Sequence, residues 1–272
     1  MNRLVIIGNG FDMAHGLKTS YMDFINWYWD QRVYGFIGKT TNVSQDCLCK
    51  LVIKETGDFS CWNVFAASNS YFFKDLYQKE RYSGREVFQE IKQHPETFMV
   101  ECSPFFETIL QSIESKGWVD IENDYYQLLK DSINNPRCEY TITGLNQQLA
   151  FIQSKLVEYL STIKEGEYKS EYQKAITDYF NPDDFSTEGR VRALDNMGLD
   201  FDRPYDKQYF QEEHEKLAPE RIMLLSFNYT KTAQLYGGTN VVHNYIHGGL
   251  TRPKTIIFGY GDELDKNYPN SG

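Results

Sequence analysis

The chain's first residues suited to chemistry lie in the turn Gly8-Asn9-Gly10-Phe11-Asp12. Glycines that follow a first strand let the backbone approach a phosphate closely, and the next helix offers free N–H groups. Gly16 comes six residues after Gly10, but Met13 occupies the third glycine position of the usual pattern G-x-G-x-x-G. Two interpretations therefore stay open, a phosphate-binding turn and a plain tight turn at a strand end.

Asp12 places a carboxylate beside this turn. A carboxylate repels phosphate, so Asp12 is better suited to a ribose hydroxyl or a water molecule. Capping the N-terminus of the following helix is an equally good interpretation.

Two further candidates, Asn228 and His247, follow apolar segments late in the chain. The Asn228 side chain both donates and accepts hydrogen bonds, which suits a sugar hydroxyl or a positioned water. An imidazole with a pKa of about 6.5 can take up a proton near neutral pH, and His247 is followed by Gly248 and Gly249. A hydrogen-bonded structural histidine is the alternative interpretation of His247.

The spacing of potential ligands predicts no metal site. His243 and His247 are four residues apart on a predicted strand, which separates their side chains along one face. The sequence contains neither H-E-x-x-H nor a cysteine pair with zinc spacing. Asp120 and Glu122 are better explained as acidic residues at a helix start than as a catalytic pair.

Strands that stop at these turns must position the candidates. Apolar runs predict strands at residues 3–7, 221–227, 241–246 and 255–258, the first of them buried on both faces. Each run stops at a polar or glycine-rich turn. Because ligands bind at the carboxyl ends of strands in open α/β sheets, we expect the four turns to converge on one crevice.

The middle of the chain is predicted to be mostly helical. Leu145, Leu149, Ile152, Leu156 and Leu160 form a stripe at helical spacing. Further helices are predicted from about residue 20 and at residues 104–115 and 121–129, and loops at residues 35–60 and 181–204. The predicted architecture is a discontinuous α/β sheet domain, residues 1–30 and 218–272, with a helical insertion or lid at 31–217.

The amino-acid composition argues against some classes of binding partner. The 272 residues carry 28 basic and 38 acidic side chains, a net charge of −10, which argues against nucleic acid as the main partner. No apolar run approaches the roughly 20 residues that span a bilayer, and no export signal precedes the first strand. An odd number of irregularly spaced cysteines predicts reduced thiols, so we expect a cytoplasmic protein with no membrane partner.

Five segments, in order, resemble the conserved blocks of the AbiH family, which is linked to bacteriophage abortive infection. They are IIGNGFDMAHGLKTSYMDF (residues 6–24), WVDIENDYYQLL (118–129), SFNYTKT (226–232), YIHG (245–248) and IIFGYGDE (256–263). The resemblance implies a phage-defence protein.

A more distant resemblance connects the same segments to sirtuin-like proteins. The positions that match their blocks are Gly8, Gly10, Gly16, Tyr21, Ser226, Phe227, Asn228, His247, Gly248 and Gly259. This resemblance implies a Rossmann-like, sirtuin-like parallel sheet that binds NAD or a related nucleotide, with Asn9 and Phe11 completing the first turn. Asn228 would touch the nicotinamide ribose, His247 would be the general base and Asp12 would support the cationic ring or orient water.

The departures from the sirtuin pattern limit the chemistry. Thr230 replaces the usual aspartate, Asp12 replaces a serine, and the four-cysteine zinc module is missing. Protein deacetylation is therefore disfavoured. Two alternatives stay open: cleavage of NAD at the nicotinamide–ribose bond, and a non-catalytic nucleotide sensor that regulates a partner effector. The expected macromolecular partner is a second copy of the chain or another protein.

Overall fold

A computed structural model describes residues 1–37, 41–54, 64, 70–77, 82–116, 121–135, 138–212 and 217–258. The chain divides into two compact units. The first, called the sheet unit, consists of Met1–Leu17 and Lys164–Ile257. The second, called the aromatic unit, contains Lys18–Ile163. The predicted division at residues 30/31 and 217/218, into a discontinuous sheet domain and a helical insertion, stays a prediction.

The described elements make this a mixed α/β protein that is mostly helical. Its strands are β1 (Asn2–Ile7), β2 (Val43–Gln45), β3 (Cys49–Ile53), β4 (Phe98–Cys102), β5 (Arg221–Ser226) and β6 (Val241–Tyr245). Its helices are α1 (Asn9–Ala14), α2 (Tyr21–Ile37), α3 (Tyr71–Tyr77), α4 (Gly84–Gln93), α5 (Pro104–Lys116), α6 (Ile121–Asn134), α7 (Ile142–Thr162), α8 (Ser170–Thr177), α9 (Thr187–Asn196) and α10 (Pro204–Glu212). Short 3-10 turns cover Pro182–Asp184, Thr232–Leu235 and Pro253–Thr255. In the described part of the chain, no helix combines the length and apolar character needed to cross a bilayer.

The sheet unit contains a three-stranded parallel sheet in the order β1-β5-β6. Ile7, Ile222 and Leu224 pack one face of this sheet against Ala233 and Tyr236. The opposite face is open along β1, where Leu4 is 57% and Ile6 is 68% exposed. The prediction that β1 is buried on both faces is therefore wrong, because its residues alternate between the core and an uncovered face.

The aromatic unit contains an antiparallel sheet in the order β2-β3-β4. Its core is built from helix α2, in which Phe24, Tyr28 and Trp29 are almost fully buried. The Trp29 ring stacks on Phe88 of α4 with 3.6 Å between ring centroids. The predicted helices at residues 104–115 and 121–129, and the helix under the leucine stripe, are confirmed as α5, α6 and α7.

Three predictions of secondary structure are wrong. Strands β2 and β3 lie within the predicted loop 35–60, where the Asp46 carboxylate accepts the backbone N–H groups of Leu48 and Cys49 and so holds the turn between them. Helix α9 lies within the predicted loop 181–204, and the side chain of Ser186 caps its N-terminus by accepting the Gly189 N–H.

The third error is the predicted strand at residues 255–258. Pro253 starts a 3-10 turn there, and the Thr255 N–H is used within that turn, on the carbonyl of Arg252. Ile257 donates its N–H to the His247 carbonyl at 3.1 Å, so this segment packs on a neighbouring turn and adds no strand to the sheet.

Candidate functional site

The carboxyl ends of the three parallel strands meet at one edge of the sheet. Ile7 pairs with Ser226, and Ser226 pairs with Tyr245, so the turns that follow start side by side. The Asn228 side-chain amide donates a hydrogen bond of 2.9 Å to the Gly8 carbonyl, across 220 residues of sequence. The first and second turns are thereby fixed to each other.

Asp12 lies beneath this edge and is only 1% exposed. Its Oδ2 accepts a 2.7 Å hydrogen bond from the Thr230 hydroxyl. Its Oδ1 is buried and has no hydrogen-bond partner among the described residues. The N-cap interpretation is wrong, because Gly8 occupies the N-cap of α1 and no side chain caps it. A buried carboxylate with one unsatisfied oxygen is costly, which makes Asp12 a candidate to meet a ligand.

His247 is half-buried at the end of the turn that follows β6. Its ring meets the Phe227 ring edge-on, with 5.4 Å between centroids, and lies 6.3 Å from the Tyr229 ring. Among the described residues, none forms a hydrogen bond with the His247 side chain, unlike His243, whose Nε2 lies 2.7 Å from the Tyr236 carbonyl. His243 is thus a hydrogen-bonded histidine, and the role of His247 stays a prediction.

Gly248 has a backbone requirement that no other residue type meets well. Its φ of +74° is left-handed, and an added Cβ would collide with the Thr255 carbonyl. The turn therefore brings the chain after β6 back against the segment that includes Thr255.

A cavity of about 380 Å³ opens beside these turns. Tyr245, Thr230 and Gly248 line it, together with the basic side chains of Lys231 and Arg252. Burial raises the pKa of the Tyr245 hydroxyl. The interaction with Gln234 lowers this pKa, and the negative charge of Asp12 raises it. The volume lies within the range of roughly 300–1,000 Å³ that small-molecule sites occupy.

The remaining predicted residues have varied positions. Ser226 is buried, and its hydroxyl accepts the Asn228 N–H at 3.2 Å. Asn9, Gly10 and Phe11 are part of helix α1, and Gly16 follows its end with a φ of +77°. Tyr21 begins α2 in the aromatic unit, and Gly259 lies outside the described residues.

A buried cluster around His15 was missed by the sequence analysis. His15 Nδ1 lies 2.7 Å from the Phe11 carbonyl, and its Nε2 forms a hydrogen bond with the Tyr236 hydroxyl. The same hydroxyl accepts the Lys169 N–H at 3.1 Å. No local signal marks this cluster, because Tyr236 is 221 residues away from His15 in the sequence.

In the described ranges, no three His, Cys, Asp or Glu side chains are grouped closely enough to hold a metal ion. The described residues at the sheet edge include a buried carboxylate, Asp12, a buried amide, Asn228, and a half-buried imidazole, His247. These are groups that bind polar ligands and transfer protons.

No curated protein and no solved structure matches the chain. The family described as "Bacteriophage abortive infection AbiH" matches residues 4–270, which is nearly the whole chain. The chain therefore belongs to the AbiH family of bacteriophage abortive infection proteins.

Proposed function

We propose that this AbiH protein acts in phage defence through a nucleotide pocket at the carboxyl edge of the parallel sheet, where it cleaves the nicotinamide–ribose bond of NAD. The observation that carries the proposal is the convergence of two turns from opposite ends of the sequence. The Asn228 amide joins them at Gly8, and the unsatisfied Asp12 carboxylate lies at the same edge. Sheet edges of this kind are where α/β proteins bind nucleotides.

In this reaction, water replaces nicotinamide at the ribose carbon and yields ADP-ribose, nicotinamide and a proton. His247 accepts the proton from the attacking water, which is the usual role of a neutral imidazole in general base catalysis. The departure of nicotinamide leaves positive charge on the ribose, as in glycoside hydrolysis. The buried Asp12 carboxylate would stabilise that charge.

The diphosphate needs positive partners, which the net charge of −10 does not supply as a general field. Lys231 and Arg252 line the cavity and supply local positive charge. Lys231 is paired with Glu165 at 3.2 Å, whereas Arg252 makes no ion pair with the described residues. We expect Arg252 to contact the phosphates, together with backbone N–H groups of the first turn.

A specific observation also favours the second candidate, a nucleotide sensor without turnover. Asn228 is only 8% exposed, and its amide N–H is already donated to Gly8. Because this hydrogen bond joins two turns, a ligand that broke it would let one turn move relative to the other. Sensing would then require no proton transfer at His247.

The experiment follows nicotinamide release from NAD by the purified protein, with saturable NAD binding measured in parallel. His247→Ala is expected to lower the rate by roughly 100-fold or more, the scale of general acid–base catalysis. His94→Ala, which removes a histidine of the aromatic unit, is the matched control and should release nicotinamide at the wild-type rate.

Binding is tested separately with Gly10→Ala. An added Cβ at Gly10 meets nothing within 4 Å, so the fold should tolerate it while a phosphate at the turn would lose its close approach. Binding without release would favour the sensor. Release that persists in His247→Ala would remove the assigned role of His247, and absence of any NAD binding would contradict both candidates.

A further inference from the structure

Two cysteines of the aromatic unit face each other across its antiparallel sheet. Cys49 on β3 and Cys102 on β4 are direct partners in the strand register, and their sulfur atoms are 3.5 Å apart. The next pair along the ladder carries a hydrogen bond, from the Ser103 N–H to the Leu48 carbonyl at 2.8 Å. Hydrogen-bonded and non-hydrogen-bonded pairs alternate, so the cysteines form a non-hydrogen-bonded pair, in which the Cα atoms are about 4.5 Å apart.

That spacing permits a covalent bond between the sulfurs. Disulfides join residues whose Cα atoms are roughly 4.4–6.8 Å apart, with the sulfurs at about 2.0 Å. The two sulfurs therefore need side-chain rotation, and the strands need no rearrangement.

The two thiols differ in their access to solvent. Cys49 is only 2% exposed. Its backbone N–H donates a hydrogen bond to the Asp46 carboxylate, and its carbonyl accepts one from the Arg32 guanidinium, each at 2.9 Å. Cys102 is half-buried and lines an open cavity of about 230 Å³. A small oxidant can therefore reach Cys102 but not Cys49.

The charges around the pair favour the same division of roles. The pKa of Cys102 is lowered, first of all by its hydrogen bond with Cys49. Burial raises this pKa, as does the negative charge of Glu107 and Asp46, whereas the positive charge of Lys92 lowers it. The pKa of Cys49 is raised, first by its hydrogen bond with Cys102 and then by burial. The more accessible sulfur is thus also the one whose pKa is lowered, and thiolates are the nucleophilic form of cysteine.

We propose that Cys49 and Cys102 form a reversible redox site that reacts with hydroperoxides. The Cys102 thiolate attacks the peroxide oxygen, the O–O bond breaks, and Cys102 becomes a sulfenic acid while hydroxide, or the alkoxide of an organic peroxide, leaves. The Cys49 thiol then attacks the Cys102 sulfur. A disulfide forms, the S–O bond breaks, and the oxygen leaves as water with the Cys49 proton.

The net change is a two-electron oxidation of the dithiol and reduction of the peroxide. A second thiol compound reverses it by exchange through a mixed disulfide at the accessible Cys102 sulfur. The site lies in the aromatic unit and does not depend on the nucleotide pocket proposed for the sheet unit.

The test exposes the full-length reduced protein to hydrogen peroxide, blocks the remaining thiols by alkylation, and maps disulfide-linked peptides by mass spectrometry. The wild type should yield a Cys49–Cys102 linked peptide that dithiothreitol removes. In Cys49→Ala the resolving thiol is gone, so the sulfenic acid should persist at Cys102 and be trapped by dimedone.

Two variants serve as controls. Cys47→Ser removes an exposed thiol two residues from Cys49 and should leave the yield of the linked peptide unchanged. Cys102→Ser should reduce the yield to background with an unchanged circular dichroism spectrum. The proposal is overturned if Cys102 stays alkylatable in peroxide-treated wild type, or if no dimedone adduct forms at Cys102 in folded Cys49→Ala.

Discussion

The sheet unit and the aromatic unit bury different chemistry. Eight polar or charged residues are buried in the described part of the chain, and six of them belong to the sheet unit: Asp12, His15, Ser226, Asn228, Thr230 and Thr232. The other two, Ser44 and Ser112, lie in the aromatic unit, whose interior holds large aromatic side chains such as Trp29, Tyr28 and Phe106. Burial of polar groups costs stability unless each is paired, whereas burial of aromatic rings contributes it.

This contrast indicates that functional groups are to be sought in the sheet unit. A polar group retained in a core needs a reason, and in the sheet unit the polar residues lie at or near the carboxyl edge of the sheet. The aromatic unit contributes stability and, at one position on its sheet, a pair of thiols. Mutations in the two units should therefore differ in size and kind.

The largest expected effect is that of Trp29→Ala in the aromatic unit. Trp29 is 1% exposed and stacks on Phe88, so its removal leaves a large cavity. We expect a loss of about 3–5 kcal/mol in the free energy of unfolding, measured by urea denaturation. Tyr71→Ala, at a ring that is 84% exposed, is the control and should change stability by at most about 0.5 kcal/mol.

Next in size is Gly248→Ala in the sheet unit. The added Cβ would be forced onto the Thr255 carbonyl at a left-handed φ, and we expect a cost of about 2–3 kcal/mol by the same measurement. Gly237→Ala meets no atom within 4 Å and should cost well under half of that. Equal effects of the two variants would show that the turn after β6 is not the rigid part of the edge.

A smaller effect is expected for Thr230→Val, which removes the only described hydrogen-bond donor to the Asp12 carboxylate. The carboxylate would then be buried with no partner, at a cost of about 1–3 kcal/mol. Thr230→Ser keeps the hydroxyl and should recover most of that loss in urea denaturation. If serine and valine cost the same, the methyl group and not the hydrogen bond explains the burial of Thr230.

The same contrast explains what the sequence could and could not predict. Strands β1, β5 and β6 were predicted because each is an apolar run that stops at a polar or glycine-rich turn, and that pattern is local. The pairing of Asp12 with Thr230 spans 218 residues and leaves no local signal, so Asp12 was assigned with equal weight to a cap or a ligand role. Of the residues that the sirtuin-like resemblance suggested, Gly8 and Asn228 are in contact, and the roles of the individual residues stay predictions.

The predictions of secondary structure were wrong where the local amino-acid composition did not match the strand pairing in the folded protein. The apolar residues 255–258 looked like a strand, but Pro253 sets a turn there and the sheet does not continue. Residues 43–53 looked like a loop because of their polar neighbours, yet the Asp46 carboxylate holds the hairpin between β2 and β3. A high β-propensity means that a residue fits a pleated, half-buried surface. Such a surface forms only where a strand pairs with another in the folded protein.

The smallest effect that we expect is a pH-dependent contribution of His94 to the stability of the aromatic unit. His94 lies 3.2 Å from Glu90 and 3.0 Å from Glu96. Burial lowers the pKa of His94, but the hydrogen bonds to Glu96 and Glu90 outweigh it, so the pKa is raised above 6.5. A raised folded-state pKa means that the charged cluster stabilises the protein fully below pH 6.5, and that this contribution is lost as the pH rises through the folded-state value.

The groups are largely at the surface, so the contribution is at most about 1 kcal/mol. The measurement is the difference in free energy of unfolding between wild type and His94→Gln across a pH series. The difference should be greatest below pH 6.5 and shrink as the pH rises, since both side chains are then neutral. A difference that grows with pH would contradict the assigned sign, and one above several kcal/mol would mean that the stability of the aromatic unit depends on charge as well as on its aromatic core.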